Sequence, residues 1–163
     1  MAEVTNNKNF MQPTQFSIVI DRENYPNITF FAQDVTHPDV GASPVSLSHK
    51  GTTVFMPGDT IDYGTLTMSA IIDEDMNTYT EMYNWVRRNM TEYKTGIGAN
   101  TSGTSSTSDI TVNILNSHNN KVKGIRYRNA FPTNVSGIAF TTKTTETYLI
   151  FDITFQIDSF ELI

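Results

Sequence analysis

The sequence predicts a mainly β protein: two packed antiparallel sheets, as a sandwich or a partly open barrel, with one flanking α-helix. Three observations lead there. First, apolar and polar residues alternate at period two in several separate stretches. In the clearest, Leu149, Phe151, Ile153, Phe155 and Ile157 oppose Asp152, Thr154, Gln156 and Asp158. A helix would scatter those five apolar side chains around its whole circumference. Second, one stretch has helical spacing instead, with Tyr79, Met82, Tyr83, Val86 and Met90 recurring every three or four residues. Third, the polar content comes from Thr, Ser and Asn more than from charge, and Thr suits strands while Asn and Ser suit turns.

Residues 1–14 read as an extended N-terminal arm, polar except for Phe10 and Met11 and ending near Pro13. Phe16, Ile18 and Ile20 mark a first strand. Asn27 to Gln33 reads as a second, joined to the first as a hairpin. Asp34 to Ser48, with Pro38, Gly41 and Pro44, reads as a long irregular loop. Thr52 to Met56 is a short apolar run before the turn signal Pro57-Gly58-Asp59. Asp62 to Ile72 alternates again, with Leu66, Met68, Ala70 and Ile72 on one side.

Asp73, Glu74 and Asp75 end that strand and suit the N-terminus of the helix that follows. Trp85 lies beside the apolar stripe and is expected to cover its edge. The Gly-, Ser- and Thr-rich run after the helix is of low complexity. Ile110, Val112 and Ile114 mark another strand, which turns at Asn119-Asn120 and returns through Lys121 to Phe131. Phe131-Pro132-Thr133-Asn134 reads as a turn, Ile138 and Phe140 as the start of a short extended run, and Glu146 to Leu162 as one long closing strand. There is no internal repeat and no composition break, so residues 1–163 read as a single domain.

The chain has 163 residues, enough for a real core, and no cysteine, so neither a disulfide framework nor a thiolate metal site is expected. No apolar run is long enough to span a bilayer, and no signal-peptide core is visible at the N-terminus. The expectation is a protein without a membrane anchor that works in the cell where it is made. Its net charge of −6 argues against non-specific nucleic-acid binding. Charged residues make up 17%, against about 25% in an ordinary domain, which fits a chain that hides surface in an assembly.

Residues that could carry chemistry have simpler readings. His37, His49 and His118 fall in predicted loops or strand ends with no metal-ligand spacing, and read as solvated surface. Asp73, Glu74 and Asp75 could serve as glycosidase carboxylates, but they fit cap and dipole partners better. Asp152 and Asp158 lie on one strand, about 20 Å apart at strand rise, too far for a catalytic pair. Gly96-Ile97-Gly98 lacks the third glycine and the strand context of a dinucleotide fingerprint. No Gly-x-Ser-x-Gly elbow occurs. Lys121, Lys123, Arg126, Tyr127 and Arg128 form the one basic cluster, read as surface charge paired with acids rather than a nucleic-acid ribbon. Neither an enzyme nor a bound cofactor is expected.

Taken in order, these residues resemble the tail tube protein of contractile-tailed phages of the T-even type. Pro13 with Phe16, Ile18 and Ile20 is similar to that family's opening strand. Thr36-His37-Pro38 followed by Gly41 resembles its small-residue and proline loop. Gly58-Asp59-Thr60 followed by Leu66, Thr67 and Met68 resembles its Gly-Asp turn and long strand. Asp73 to Trp85 resembles its acid-started helix. Phe131-Pro132-Thr133-Asn134-Val135 is similar to its aromatic-Pro-Thr-Asn-Val turn, ahead of the Phe151 to Phe160 strand. Two departures are His37, where a small or apolar residue is expected, and the composition of the Ser/Thr-rich loop.

The resemblance implies a non-enzymatic virion subunit, assembled in the host cytoplasm. It implies six-membered rings whose sheets join edge to edge into an inner β-barrel and stack into a hollow tube. The implied partners are further copies of itself, the tail sheath protein, a baseplate tube initiator, a tail terminator, and genomic DNA passing through without specific binding. The alternatives are a type VI secretion-like tube, a baseplate tube initiator and, from another class, a monomeric β-sandwich that binds carbohydrate. Apolar residues without an evident intrachain partner, namely Phe10, Met11, Val54, Phe55 and Met56, are the expected subunit contacts. A conduit for DNA should be poor in cations and exposed aromatics. Thr65, Thr67, Ser69, Thr111, Asn113, Asp152, Thr154, Gln156 and Asp158 therefore supply the candidate lumen lining, with the basic cluster lying elsewhere.

Overall fold

Eleven strands and two helices make up the computed structural model, which describes residues 14–21, 24–94, 106–142 and 148–163. In chain order they are β1 (Phe16–Val19), α1 (Pro26–Phe31), β2 (Ala32–Thr36), β3 (Val40–Ala42), β4 (Val45–His49), β5 (Thr52–Met56), β6 (Ile61–Tyr63), β7 (Leu66–Ile71), α2 (Asn77–Lys94), β8 (Ser108–Leu115), β9 (Lys121–Val135), β10 (Ile150–Gln156) and β11 (Ser159–Leu162). The body is one antiparallel sheet in the order β1-β8-β9-β10-β7-β2, with β11 also on β9. β9 bends this sheet into two layers. Its first part pairs with β8 and β11, and its last part, from Phe131 to Val135, pairs with β10. The result is a partly open barrel whose path ends at β1 and β2.

The bend has a local cause. Asn129 has a φ of 52°, a left-handed conformation that Asn tolerates better than most residues. Its N–H donates to the Asp109 carboxylate at 3.1 Å, and its side-chain amide donates to Asp158 at 2.8 Å. Phe131-Pro132-Thr133-Asn134 is therefore the continuation of β9, not a turn. Pro132, which cannot donate to a ladder, sits where the β9–β10 register shifts at Thr154/Phe155.

The long closing strand is likewise two. β10 runs between β7 and β9, the chain breaks at Ile157-Asp158, and β11 crosses to the other half of β9. Ile138 and Phe140 lie beyond β9 in no strand. Asp62 to Ile72 is divided at Gly64-Thr65 into β6 and β7. Asn119, with φ 59°, does make the expected β8–β9 turn.

The alternating residues meet in the interior. Leu66, Met68 and Ala70 from β7, Ile110 and Val112 from β8, and Phe151, Ile153 and Phe155 from β10 are buried. α2 lies on this inner surface. Tyr79 packs edge-on to Phe151 at 5.4 Å, and Met82 is fully buried. Trp85 does not cover an edge. It is fully buried, stacked on Tyr25 at 4.1 Å and edge-on to Phe155 at 5.9 Å, and its indole N–H donates to the Ser106 carbonyl at 2.8 Å. Tyr83 and Met90, counted in the apolar stripe, are exposed.

Asp73 caps α2 as expected, accepting from the N–H groups of Asn77 and Thr78 at 3.1 and 2.8 Å and from the Thr78 hydroxyl at 2.8 Å. Burial pushes its carboxyl up, but these hydrogen bonds from Thr78 and Asn77 prevail and hold it below the ordinary value.

Residues 27–31 are helical, not strand, and β1 pairs with β8 rather than with a hairpin partner. Pro26 occupies the first turn, where its missing N–H costs nothing. Glu81 of α2 accepts from the Ile28 N–H at 3.3 Å and from the Asn27 amide, so α2 itself anchors this short helix.

Candidate assembly surface

Between β2 and β7 the chain leaves the body as a hairpin arm. Val40–Ala42 pairs with Ile61–Tyr63, and Val45–His49 pairs with Thr52–Met56. The expected loop from Asp34 to Ser48 is thus mostly strand. The tip is Lys50-Gly51, whose φ values of 45° and 83° match the primed turns that suit the twist of a hairpin. Between the two ladders lie Pro44 on one strand and Pro57-Gly58 on the other, which interrupt pairing. At the root, the Gly64 N–H donates to the Asp39 carbonyl at 3.0 Å.

Every residue of β4 and β5 is exposed. The cross-strand pairs Val45–Met56 and Leu47–Val54 lay four apolar side chains along one face, and Phe55, 68% exposed, stands on the other. A two-stranded hairpin is at best marginally stable alone in water. An arm with this much apolar surface on both faces needs a partner, and the described residues of its own chain do not supply one. The structure thus brings Val54, Phe55 and Met56 together in one projection. Phe10 and Met11 lie outside the described residues. Sequence reasoning missed Val45 and Leu47 because Pro44 and Gly41 mark their surroundings as loop.

The candidate lumen residues fall on different surfaces. On the β2–β7–β10 layer, Asp34, Ser69 and Asp152 form one cross-strand row and Thr36, Thr67 and Thr154 the next. The Ser69 hydroxyl donates to Asp152 at 2.8 Å, and the Thr133 hydroxyl donates to the Thr154 carbonyl at 3.1 Å. Gln156 continues this side of β10, and Thr65 is exposed just before β7. Thr111 and Asn113 lie on the other layer, paired with Arg126 and Gly124. Asp158 is at the β10–β11 corner, bound to Asn129. Asp34 and Thr36 belong to the first surface, and they escaped notice because they followed a segment read in the wrong conformation.

Arg126 and Arg128 both reach Glu161, at 3.5 and 2.8 Å, on the layer away from the Asp34–Asp152 row. His37 is not simply solvated. Its Nδ1 lies 2.8 Å from the Tyr127 hydroxyl, and its ring packs edge-on to Phe160 at 4.6 Å. With Tyr63 against Phe160, this aromatic cluster ties the root of the arm to β9 and β11. Burial lowers the His37 pKa and raises that of Tyr127 to about 12.

Among the described residues no group of three or more His, Asp or Glu is placed to hold a metal ion, and no helix is long and apolar enough to cross a membrane.

No protein-family model and no curated protein matches the chain. Solved structures do. A chain in the cryo-EM structure of the anti-feeding prophage cap (AFP tube terminating cap) has a TM-score of 0.71 at 16% identity, over 99% of this chain and 95% of that one. A chain of the sheath-tube complex of an extracellular contractile injection system, PVC, in its extended state has a TM-score of 0.70 at 16% identity, over 96% and 93%. Hcp1 from Flavobacterium johnsoniae has a TM-score of 0.51 at 13% identity, over 94% of each. The mainly β architecture, with its antiparallel layers and packed helix, is the fold that these chains share.

Proposed function

We propose that the chain is a structural, non-enzymatic subunit of the hollow inner tube of a contractile injection machine. The observation that carries this is the Val40–Tyr63 arm, which presents Val45, Leu47, Val54, Phe55 and Met56 to solvent on a fold of the tube-protein type. The open ends of the sheet path at β1 and β2 support the same reading, because unpaired strand edges seek partners and neighbouring copies can provide them. In this reading six copies close into a ring, their sheets join into an inner barrel, and rings stack by a head-to-tail contact. The partners are a surrounding sheath protein, a baseplate initiator and a terminator, and the tube works within the assembled particle.

The finer reading is a phage tail tube that conducts DNA. The lumen is then paved by the β2–β7–β10 surface, where Asp34, Thr36, Thr67, Ser69, Asp152 and Thr154 include no Lys or Arg. Such a surface gives phosphate nothing to hold. Arg126, Arg128 and Glu161 face away from the channel. A tube, cap or baseplate component of a non-phage injection system is the second reading, favoured by the likeness to the prophage cap chain.

Negative-stain microscopy of the purified protein tests the proposal. Open tubes are expected, whereas isolated rings would favour a cap or initiator. A strictly monomeric protein at high concentration in physiological salt overturns the tube reading. A lumen lined mainly by Lys, Arg and large aromatics overturns the DNA-conduit reading.

A further inference from the structure

At the end of the β2–β7–β10 layer opposite the arm lies an apolar groove of about 350 Å³. Ile72, Ile138 and Leu149 line it half-buried, and Phe140, 75% exposed, and Tyr148 stand open to solvent beside them. Glu74 lies at its border, and among the described residues no Lys or Arg contributes to the lining. The arm leaves the sheet after Thr36 and re-enters it at Leu66, whereas the groove begins beyond Ile71. Six residues of strand, about 20 Å, separate the two ends. The apolar projection and the apolar recess therefore occupy opposite poles of one sheet.

From this we infer that the arm of one copy docks its Val45–Leu47–Val54–Met56 face into the Ile72–Ile138–Phe140–Tyr148 groove of a second copy. Charge supports the choice of occupant. From Val45 to Met56 the arm carries no acid and has Lys50 at its tip, while the groove is bordered by Glu74, with exposed Asp75 next to it. The contact joins unlike patches at opposite poles, so copies stacked in the same orientation meet through a heterologous contact. It leaves one free arm and one free groove after every addition, and so it propagates head to tail. The inference rests on the tube reading and deepens it by naming the receptor for the arm.

The chain has no cysteine, which makes thiol crosslinking specific to introduced sites. Val54→Cys and Phe140→Cys versions of the full chain, mixed and treated with a short bis-maleimide, should give covalent dimers. Val54→Cys mixed with Phe30→Cys, an exposed site on α1 away from the groove, should not. Phe140→Asp should lower the sedimentable fraction at least tenfold. Lys50→Glu should lower it too, and adding Glu74→Lys in the same chain should restore it. Phe140→Asp and Val54→Asp versions, each unable to polymerise alone, should on mixing form assemblies two layers long and no longer. If tubes form but Val54→Cys and Phe140→Cys do not crosslink, the docking inference falls and the tube reading stands. Crosslinking of Val54→Cys chiefly to itself overturns the inference in the same way. If the native chain stays monomeric, both fall.

Discussion

Replacing Gly58 with alanine should impair assembly while leaving the folded body unchanged. Gly58 sits at the waist of the arm, where the Val40–Ala42 ladder ends and the Val45–His49 ladder begins. A Cβ built there would lie 1.9 Å from the Ser43 carbonyl oxygen and 3.1 Å from its carbon, where separations under 3.0 Å are essentially never seen. The obstacle is backbone, so no side chain can swing aside. The two strands must part by roughly 1 Å, a distortion of the kind that costs about 1–3 kcal/mol. If the arm docks in one geometry, that cost comes out of each docking contact and weakens it by about 5- to 150-fold. The monomer assay is the fluorescence of Trp85, the single tryptophan, which is buried far from the arm in sequence and reports the Tyr25–Trp85–Phe155 packing. Its urea midpoint should not move. Sedimentation against concentration should show a clear rise in the concentration needed for assembly. Gly137→Ala is the control, since a Cβ there meets nothing within 4 Å. Full assembly by Gly58→Ala would refute the claim that the arm acts as a rigid, shape-specific element.

Other substitutions test other levels. Trp85→Ala should destabilise the fold by about 3–5 kcal/mol through the cavity it opens between Tyr25 and Phe155, read by urea unfolding followed by circular dichroism. Trp85→Phe should cost less, chiefly by leaving the Ser106 carbonyl without its indole donor. Asp73→Ala should cost about 0.5–2 kcal/mol at neutral pH by uncapping α2. Because the folded Asp73 carboxyl is held below its ordinary value of 3.8, its stabilisation is complete above that value and lost as pH falls through the folded one. The stability gap between wild type and Asp73→Ala should therefore narrow as pH falls below 3.8, and a gap that stays constant on acidification there would count against the cap. Deleting residues 1–12 should leave the urea midpoint intact and reduce stacking, and undiminished polymerisation would show that the segment with Phe10 and Met11 makes no contact between subunits.

The alternation at Leu66–Ala70, Ile110–Ile114 and Phe151–Ile157 is a local property, because one side of a strand must be apolar wherever one side is buried. The sequence by itself thus determined that these three segments are strands, which side of each enters the core, that α2 is a helix capped by Asp73, and that Val54 to Met56 is apolar. Partnership is not local. That β1 pairs with β8, and that β9 passes through Pro132 into the second layer, follow from which distant segments meet, and at the corner where the closing strand breaks Asn129 binds both Asp109 and Asp158. The stretch 27–31, read as strand, folds as a helix that Glu81, more than fifty residues away, holds through the Asn27 amide and the Ile28 N–H. Only the tertiary structure decided that a stretch punctuated by prolines is an arm, that the polar strand faces divide between two layers, and that the arm and an apolar groove sit at opposite poles. Each of these follows from which strands meet, and periodicity within one strand carries no information about its partner.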